Sequence, residues 1–326
     1  MKKLAKIGLM LLVVGICLAA LGRAFGGTFN YTVNPKTHEF VDGRDKESFY
    51  VEDSMSLDAF TALDIHVGAA DIDIREGDSY HLDYVMYRED RPTISTKGDT
   101  LVIKSKEEQS YHLGFNFEIF EFGWNSREKQ PRLIVTIPKG TKLSAATILT
   151  ESGDCELANI ASDQISIRSE SGDISLTGID CSEMDMTLES GDAKVKACSF
   201  HSHKLLSEFG DVIVTDVNCS EMDMTLESGD VRISECNFGS WKLLSESGDV
   251  KTEEILVDKL EAKAESGDVR VSLKGNQEEY GFDLSCESGD VILDRRNQGE
   301  NFVYAVEKEK LIKIKNESGD VQINFE

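Results

Sequence analysis

The sequence predicts an all-β chain, a single-stranded parallel β-helix (β-solenoid, read as right-handed), and three observations carry that prediction. Glu-Ser-Gly-Asp recurs between Glu151 and Asp320, eight times intact and once as Glu208-Phe209-Gly210-Asp211. Gly153, Gly172, Gly191, Gly210, Gly229, Gly248 and Gly267 stand nineteen residues apart, and Gly289 and Gly319 follow at intervals of twenty-two and thirty. When each glycine is set to position 0, apolar residues align at +2, +4, +7, +9, +12, +14 and +16. A fixed period of this size marks a solenoid, and alternation of apolar and polar positions marks strands.

The columns define the coil. Ile174 and Leu176, or Val212 and Val214, make a first strand at +2 and +4; Ile179 and Cys181 make a second at +7 and +9; Met184, Met186 and Leu188 make a third at +12 to +16. Phase slips at +6 and +11 read as corners, giving three short strands per coil. The glycine sits at the third corner, where a tight turn needs positive φ, and its Ser and Asp neighbours are residues that bond turn backbone.

Taken in order, residues 1–27 open with Lys2, Lys3 and Lys6 ahead of an apolar run from Ile7 to Phe25. Nineteen residues just span a bilayer, and the lysines favour a cytoplasmic N-terminus. The segment reads as an uncleaved single-pass anchor in the cell membrane. The alternative is a cleaved signal peptide and a secreted product, for which Ala20-Leu21-Gly22 is a weak cleavage site and the bulky Ile16 spoils lipidation at Cys17. Either way the body lies outside the cytoplasm. Residues 28–56 lack sustained periodicity and read as a linker. Residues 57–150 read as irregular capping coils, with strand patterns at Leu63–Val67, Ala70–Ile74, Leu82–Tyr87 and Leu101–Ile103. An aromatic insertion, 105–132, carries Phe115, Phe117, Phe120, Phe122 and Trp124. Two readings stand for it: a hairpin packed over the open end of the core, or an exposed loop for a partner or the membrane interface. Residues 151–326 form the regular solenoid.

With 35 basic and 60 acidic residues the formal charge is −25. That excludes nucleic acid as a partner and argues against adsorption to anionic lipid, leaving cationic partners or metal ions. Within the coils Cys181–Asp192 and Cys219–Asp230 are identical, CSEMDMTLESGD, thirty-eight residues apart. Duplication of a two-coil unit lengthens a solenoid easily but builds a unique active site poorly, which weighs against an enzyme.

From about Leu57 onward, the strands with Gly-Asp turns, the Ile137-Pro138-Lys139-Gly140 entry and the serial Ser-Gly-Asp coils resemble the putative adhesin family of bacterial β-strand-repeat envelope proteins, a domain of unknown function. The resemblance implies a β-strand-repeat fold, a cell-envelope location with a short N-terminal membrane segment, and in some members a link to envelope stress. It brings no catalytic residues.

The remaining chemistry is sparse. Cys155, Cys181, Cys198, Cys219, Cys236 and Cys286 fall in inward columns, never two in one column of adjacent coils, and read as free buried thiols. Cys198, His201 and His203 match no zinc spacing, so His203 reads as core filling and His201 as a corner residue. No cofactor is implied. Glu at −2 and Asp at +1 line one edge of the solenoid, and Asp192, Asp211, Asp230 and Asp249 are weak candidates for Ca²⁺ or for docking a cationic peptide. Val321–Phe325 is the last strand with nothing after it, so its end reads as folded over by the loop 295–301 or as a surface for end-to-end self-association. Three function classes follow: a non-catalytic interaction or scaffold module binding an envelope protein or glycan, a β-helix polysaccharide-active enzyme, or a purely structural spacer.

Overall fold

The computed structural model describes residues 31–33, 40–42, 50–105 and 130–326. The segment read as an anchor, 1–27, and the aromatic residues Phe115, Phe117, Phe120, Phe122 and Trp124 lie outside them. Among the described residues no helix is long and apolar enough to cross a membrane. The chain divides into two units. In the smaller, Tyr31–Val33 pairs antiparallel with Phe40–Asp42, and the rings of Tyr50 and Tyr87 stack at 5.0 Å. The larger unit, Glu52–Met86, Asp90–Lys106 and Gln130–Glu326, holds every repeat.

Each coil of that unit adds one strand to each of two long parallel sheets, of thirteen and fourteen strands. The coil around Gly191, for instance, runs through the eleven-residue strand Asp180–Ser190 and the four-residue strand Ala193–Lys196. Register advances by the repeat: Met184 pairs with His203, His203 with Met222, and Met222 with Trp241. The coil therefore has two strands, not the three expected. The slip near +11 bends a strand without breaking it. Ser182 and Glu183 both face outward, and the ladder passes from Cys181↔Phe200 to Glu183↔Ser202, skipping one residue. The slip at +6 is a true corner. Asn159, Gly178, Ala197, Asp216, Glu235 and Glu254 all sit there in the left-handed region, at φ between 53° and 66°.

The core fills by compensation between neighbouring coils. Where +9 and +12 hold Phe200 and His203, or Phe238 and Trp241, position +16 is the small Ser207 or Ser245. Where they hold Cys181 and Met184, or Cys219 and Met222, it is Leu188 or Leu226. Interiors pack near crystal density, so large and small side chains must alternate in this way. The two-coil duplication is the length over which that alternation closes.

Among the described residues eleven coils stack, but not in chain order. At one end Thr100–Lys104 and Arg132–Pro138 form the outermost coil, and the earlier strands Ala62–Ala69 and Asp71–Gly77 lie inside it. At the other, Tyr280–Ser288 and Val291–Leu293 are outermost. The C-terminal strands Lys310–Ser318 and Val321–Phe325 fit between that coil and Leu256–Ser266 with Val269–Leu273. This corrects the expectation for the last strand: Val321–Phe325 is an interior member of its sheet. The open edges are instead covered by short antiparallel strands. Thr93–Lys97 and His81–Tyr87 cover the first end, and Asn301–Tyr304 and Arg296–Asn297 the second. Tyr50–Ser56, inside the span read as linker, is a strand at the outer edge of the fourteen-stranded sheet.

Candidate functional site

The repeated Ser-Gly-Asp corner is the most regular surface feature of the solenoid. All nine turn glycines have φ between 117° and 149°, a region open essentially to glycine alone. Space imposes the same choice. A Cβ at Gly210 would lie 2.0 Å from the Gly191 carbonyl oxygen, and one at Gly191 would lie 2.3 Å from that of Gly172. The coils therefore touch backbone to backbone at this corner, which sets the distance between successive aspartates.

Those aspartates form a ladder. The amide of Asp192 donates to Oδ1 of Asp173 at 2.9 Å, that of Asp211 to Asp192 at 2.9 Å, that of Asp230 to Asp211 at 2.9 Å and that of Asp249 to Asp230 at 3.0 Å. The same bond begins at Asp154 onto Asp71 and ends at Asp290 onto Asp320. Carboxylates about 4.8 Å apart repel by roughly 1 kcal/mol in water and about 3.5 kcal/mol at the effective dielectric of a protein surface. A hydrogen bond to a charged acceptor contributes about 1.5–3 kcal/mol, enough to offset most of that. Cations offset the rest: Arg232 bridges Asp211 at 3.0 Å and Asp230 at 2.8 Å, and Arg270 reaches Asp268 and Asp249. The Asp230 amide and, second, the Arg232 guanidinium hold the Asp211 carboxyl below its ordinary pKa.

The four candidate metal ligands thus stand in a line, each with one oxygen engaged by the next coil. Among the described residues no group of three or more His, Cys, Asp or Glu side chains converges as a metal-binding set. His203 is fully buried, tilted against Phe200 at 4.8 Å, with neither ring nitrogen hydrogen-bonded, while His201 is exposed. Burial lowers the pKa of His203 to about 4, so the imidazole is neutral. The six cysteines are free and buried. Burial raises Cys155 to about 12 and Cys181, Cys219 and Cys236 to about 11, leaving thiols too poorly ionised to act as nucleophiles.

Sequence reasoning missed a second feature. Between Lys251↔Arg270 and Ile255↔Leu273 one strand has three residues and its neighbour two, a bulge in which the Ser272 amide donates to Thr252 Oγ1 at 3.0 Å. Bulges re-aim side chains. Here the result is a depression of about 340 Å³ lined by Lys251, Glu253, Arg270, Ser272 and Glu326 among others. Its cations are already matched, Lys251 with Glu253 at 2.6 Å and Arg270 with Asp268. The signal available was the polar Thr252 in the otherwise aliphatic +4 column.

A family model described as Toastrack DUF4097 matches residues 60–251 and again 202–324. The overlap follows from the repeats, since one coil aligns nearly as well as the next. Among solved structures, a putative adhesin from Parabacteroides distasonis ATCC 8503 is 12% identical, over 84% of this chain and 96% of that one, with a TM-score of 0.40. A putative adhesin from Parabacteroides merdae ATCC 43184 is 10% identical over 85% and 96%, with a TM-score of 0.37. A putative lipid binding protein from Parabacteroides distasonis ATCC 8503 is 14% identical over 85% and 96%, with a TM-score of 0.40. Among curated proteins nothing matches.

Proposed function

Because the chain belongs to the Toastrack DUF4097 family, we propose that it is a non-catalytic, adhesin-like interaction scaffold of the bacterial cell envelope. In this reading Ile7–Phe25 anchors it in the cell membrane and the solenoid lies outside the cytoplasm, where it takes part in the envelope-stress response. The observation that supports a scaffold is the aspartate ladder. The aspartate that recurs at this corner is committed, coil after coil, to holding the next coil in place. What remains outward is a column of glutamates repeated at the strand spacing, a polyvalent acidic face suited to a cationic envelope component.

The test uses the full chain, tagged at its C-terminus and expressed in a bacterium. The chain is expected in the membrane fraction with an intact mass starting at Met1, its body digested by protease added to spheroplasts. Cross-linking in situ is expected to capture a cationic partner that 0.5 M NaCl releases. A mature chain beginning at Arg23 or Ala24 overturns the anchor. Chain shortening of cell-wall or acidic glycans by the purified protein overturns the non-catalytic assignment.

A further inference from the structure

Among the described residues, the outermost strand of the thirteen-stranded sheet at its C-terminal end is Asn301–Tyr304, which there pairs only with Tyr280–Ser288. The Cys286 amide donates to the Glu300 carbonyl at 2.8 Å, and that bond fixes the alternation along the strand. Phe302 and Tyr304, opposite Leu284 and Phe282, turn their backbone groups towards Tyr280–Ser288, so Asn301 and Val303 turn theirs to the open edge.

Natural proteins block such edges with charge. Three of the four outer strands do so: Tyr50–Ser56 carries Glu52 and Asp53, Thr93–Lys97 carries Lys97, and Arg296–Asn297 carries Arg296. Asn301–Tyr304 carries no charge and exposes apolar side chains instead, with Val303 66% and Tyr304 53% exposed and Val306 46% exposed just beyond it. The surrounding segment is also neutral. Across 294–310, Arg295, Arg296, Lys308 and Lys310 balance Asp294, Glu300, Glu307 and Glu309, in a chain whose formal charge is −25. Two like-charged copies repel least where their local charge cancels.

We propose that this edge is a homodimer interface, in which Asn301–Tyr304 pairs antiparallel with the same strand of a second copy about a two-fold axis through Val303. The strand suits itself. That axis sets Val303 against Val303 on one face and Phe302 against Tyr304 twice on the other, where Phe302 and Tyr304 already stack at 6.5 Å within one chain. Apolar and aromatic cross-strand pairs of this kind stabilise antiparallel edges, and the two Val303 residues exchange both of their outward hydrogen bonds. An isologous two-fold contact is the commonest form of self-association. Four residues a side make a small interface, so the dimer is weak and concentration-dependent. This inference stands independently of the envelope reading.

The test uses the full chain in detergent with Cys17→Ser to remove the cysteine outside the described residues. In a hydrogen-bonded antiparallel pair the two Cα atoms at Val303 are about 5.5 Å apart, within disulfide reach. Under diamide, Val303→Cys is expected to form covalent dimer at least tenfold faster than Thr96→Cys, placed on the exposed outer strand at the other end. Sedimentation velocity of the otherwise natural chain is expected to show dimer growing with concentration and with added NaCl. Val303→Lys is expected to return it to monomer without lowering the melting temperature, since the side chain is exposed. Equal cross-linking rates for the two cysteine variants, or sedimentation unchanged by Val303→Lys, overturns the proposal.

Discussion

The middle of the solenoid and its two ends are made of the same coil assembled under different rules. Between Gly153 and Gly267 each coil stacks on the one made just before it. At both ends the chain lays down an outermost coil out of turn and pairs its edges with short antiparallel strands; at the first end it returns to stack on the far side of the coil made earlier, and at the second it leaves an interior place for a coil made later. Yet the ladder does not register the change. The Asp268 carboxylate accepts from Asp320, fifty-two residues on, and Asp320 then accepts from Asp290, thirty residues back. The stacking code thus depends on which coil lies alongside, not on which comes next. The Ser-Gly-Asp corner specifies that code whatever the connection.

The comparison breaks most sharply at glycine. Gly210→Ala, in the middle, combines a forbidden φ with a backbone clash and is expected to cost about 4 kcal/mol. Gly275→Ala, near the C-terminal end, has φ 118° but nothing within 4 Å of the new methyl, so only strain of about 2 kcal/mol remains. Urea midpoints of the two variants, read by circular dichroism, measure the difference.

Acid separates the regions next. His203 sits in the middle with its pKa lowered by burial to about 4, against an ordinary 6.5. The unfolded chain therefore takes up the proton first. Stability is full above pH 6.5 and falls as pH drops towards 4, by about 3 kcal/mol. His203→Met, matching Met184 and Met222 in its column, is expected to abolish that part of the pH dependence. Asp211, whose lowered pKa also removes stability on acidification, acts alike in both proteins and cancels in their difference. Towards the C-terminal end a buried polar residue is Asn316, whose Nδ2 donates to the Gly267 carbonyl at 2.9 Å and which does not titrate.

The smallest effect concerns the ladder. Asp192 accepts from the next coil, whereas Asp290 stands last and serves the ladder only as a donor. Asp192→Ala is expected to be less stable than Asp192→Asn by about 1–2 kcal/mol, because the amide side chain keeps an acceptor that the methyl lacks. At Asp290 the same two variants are expected to agree within about 0.5 kcal/mol. Thermal melts of the four proteins at one pH decide it.

Much of this was legible because a solenoid buries the same positions in every coil, so columns such as Val212, Val231, Val250 and Val269 announce themselves. The number of strands was not, since two outward residues in succession look alike whether the backbone turns or bends; only the continued pairing of Glu183 with Ser202 distinguishes them. The +6 corner was half-hidden. Its left-handed backbone is met by Asn159 and Gly178, which signal it, but equally by Ala197 and Glu235, which do not. The acidic edge was legible as a column whose aspartates bond turn backbone; that the amide they accept from belongs to the next coil was not, because the direction of a main-chain amide leaves no mark on residue type. The inversion at the C-terminus left only the intervals of twenty-two and thirty residues, which show that something intervenes but not where it goes.

The displaced final coil also imposes an order in time. A chain emerging N-terminus first can add coils one upon another as far as Leu273. The next strands, Tyr280–Ser288 and Val291–Leu293, belong one place further out and have nothing to rest on until Lys310–Phe325 has been made. Zipper-like growth from one side, the usual privilege of repeat architectures, therefore stalls near completion. Lys310–Ser318 and Val321–Phe325 act as a keystone, driven between two coils and locking both. A chain that lacks them forfeits two coils, not one, and its sheets end at Leu256–Ser266 and Val269–Leu273 in edges of unpaired N–H and C=O groups that Lys310–Ser318 and Val321–Phe325 would otherwise close.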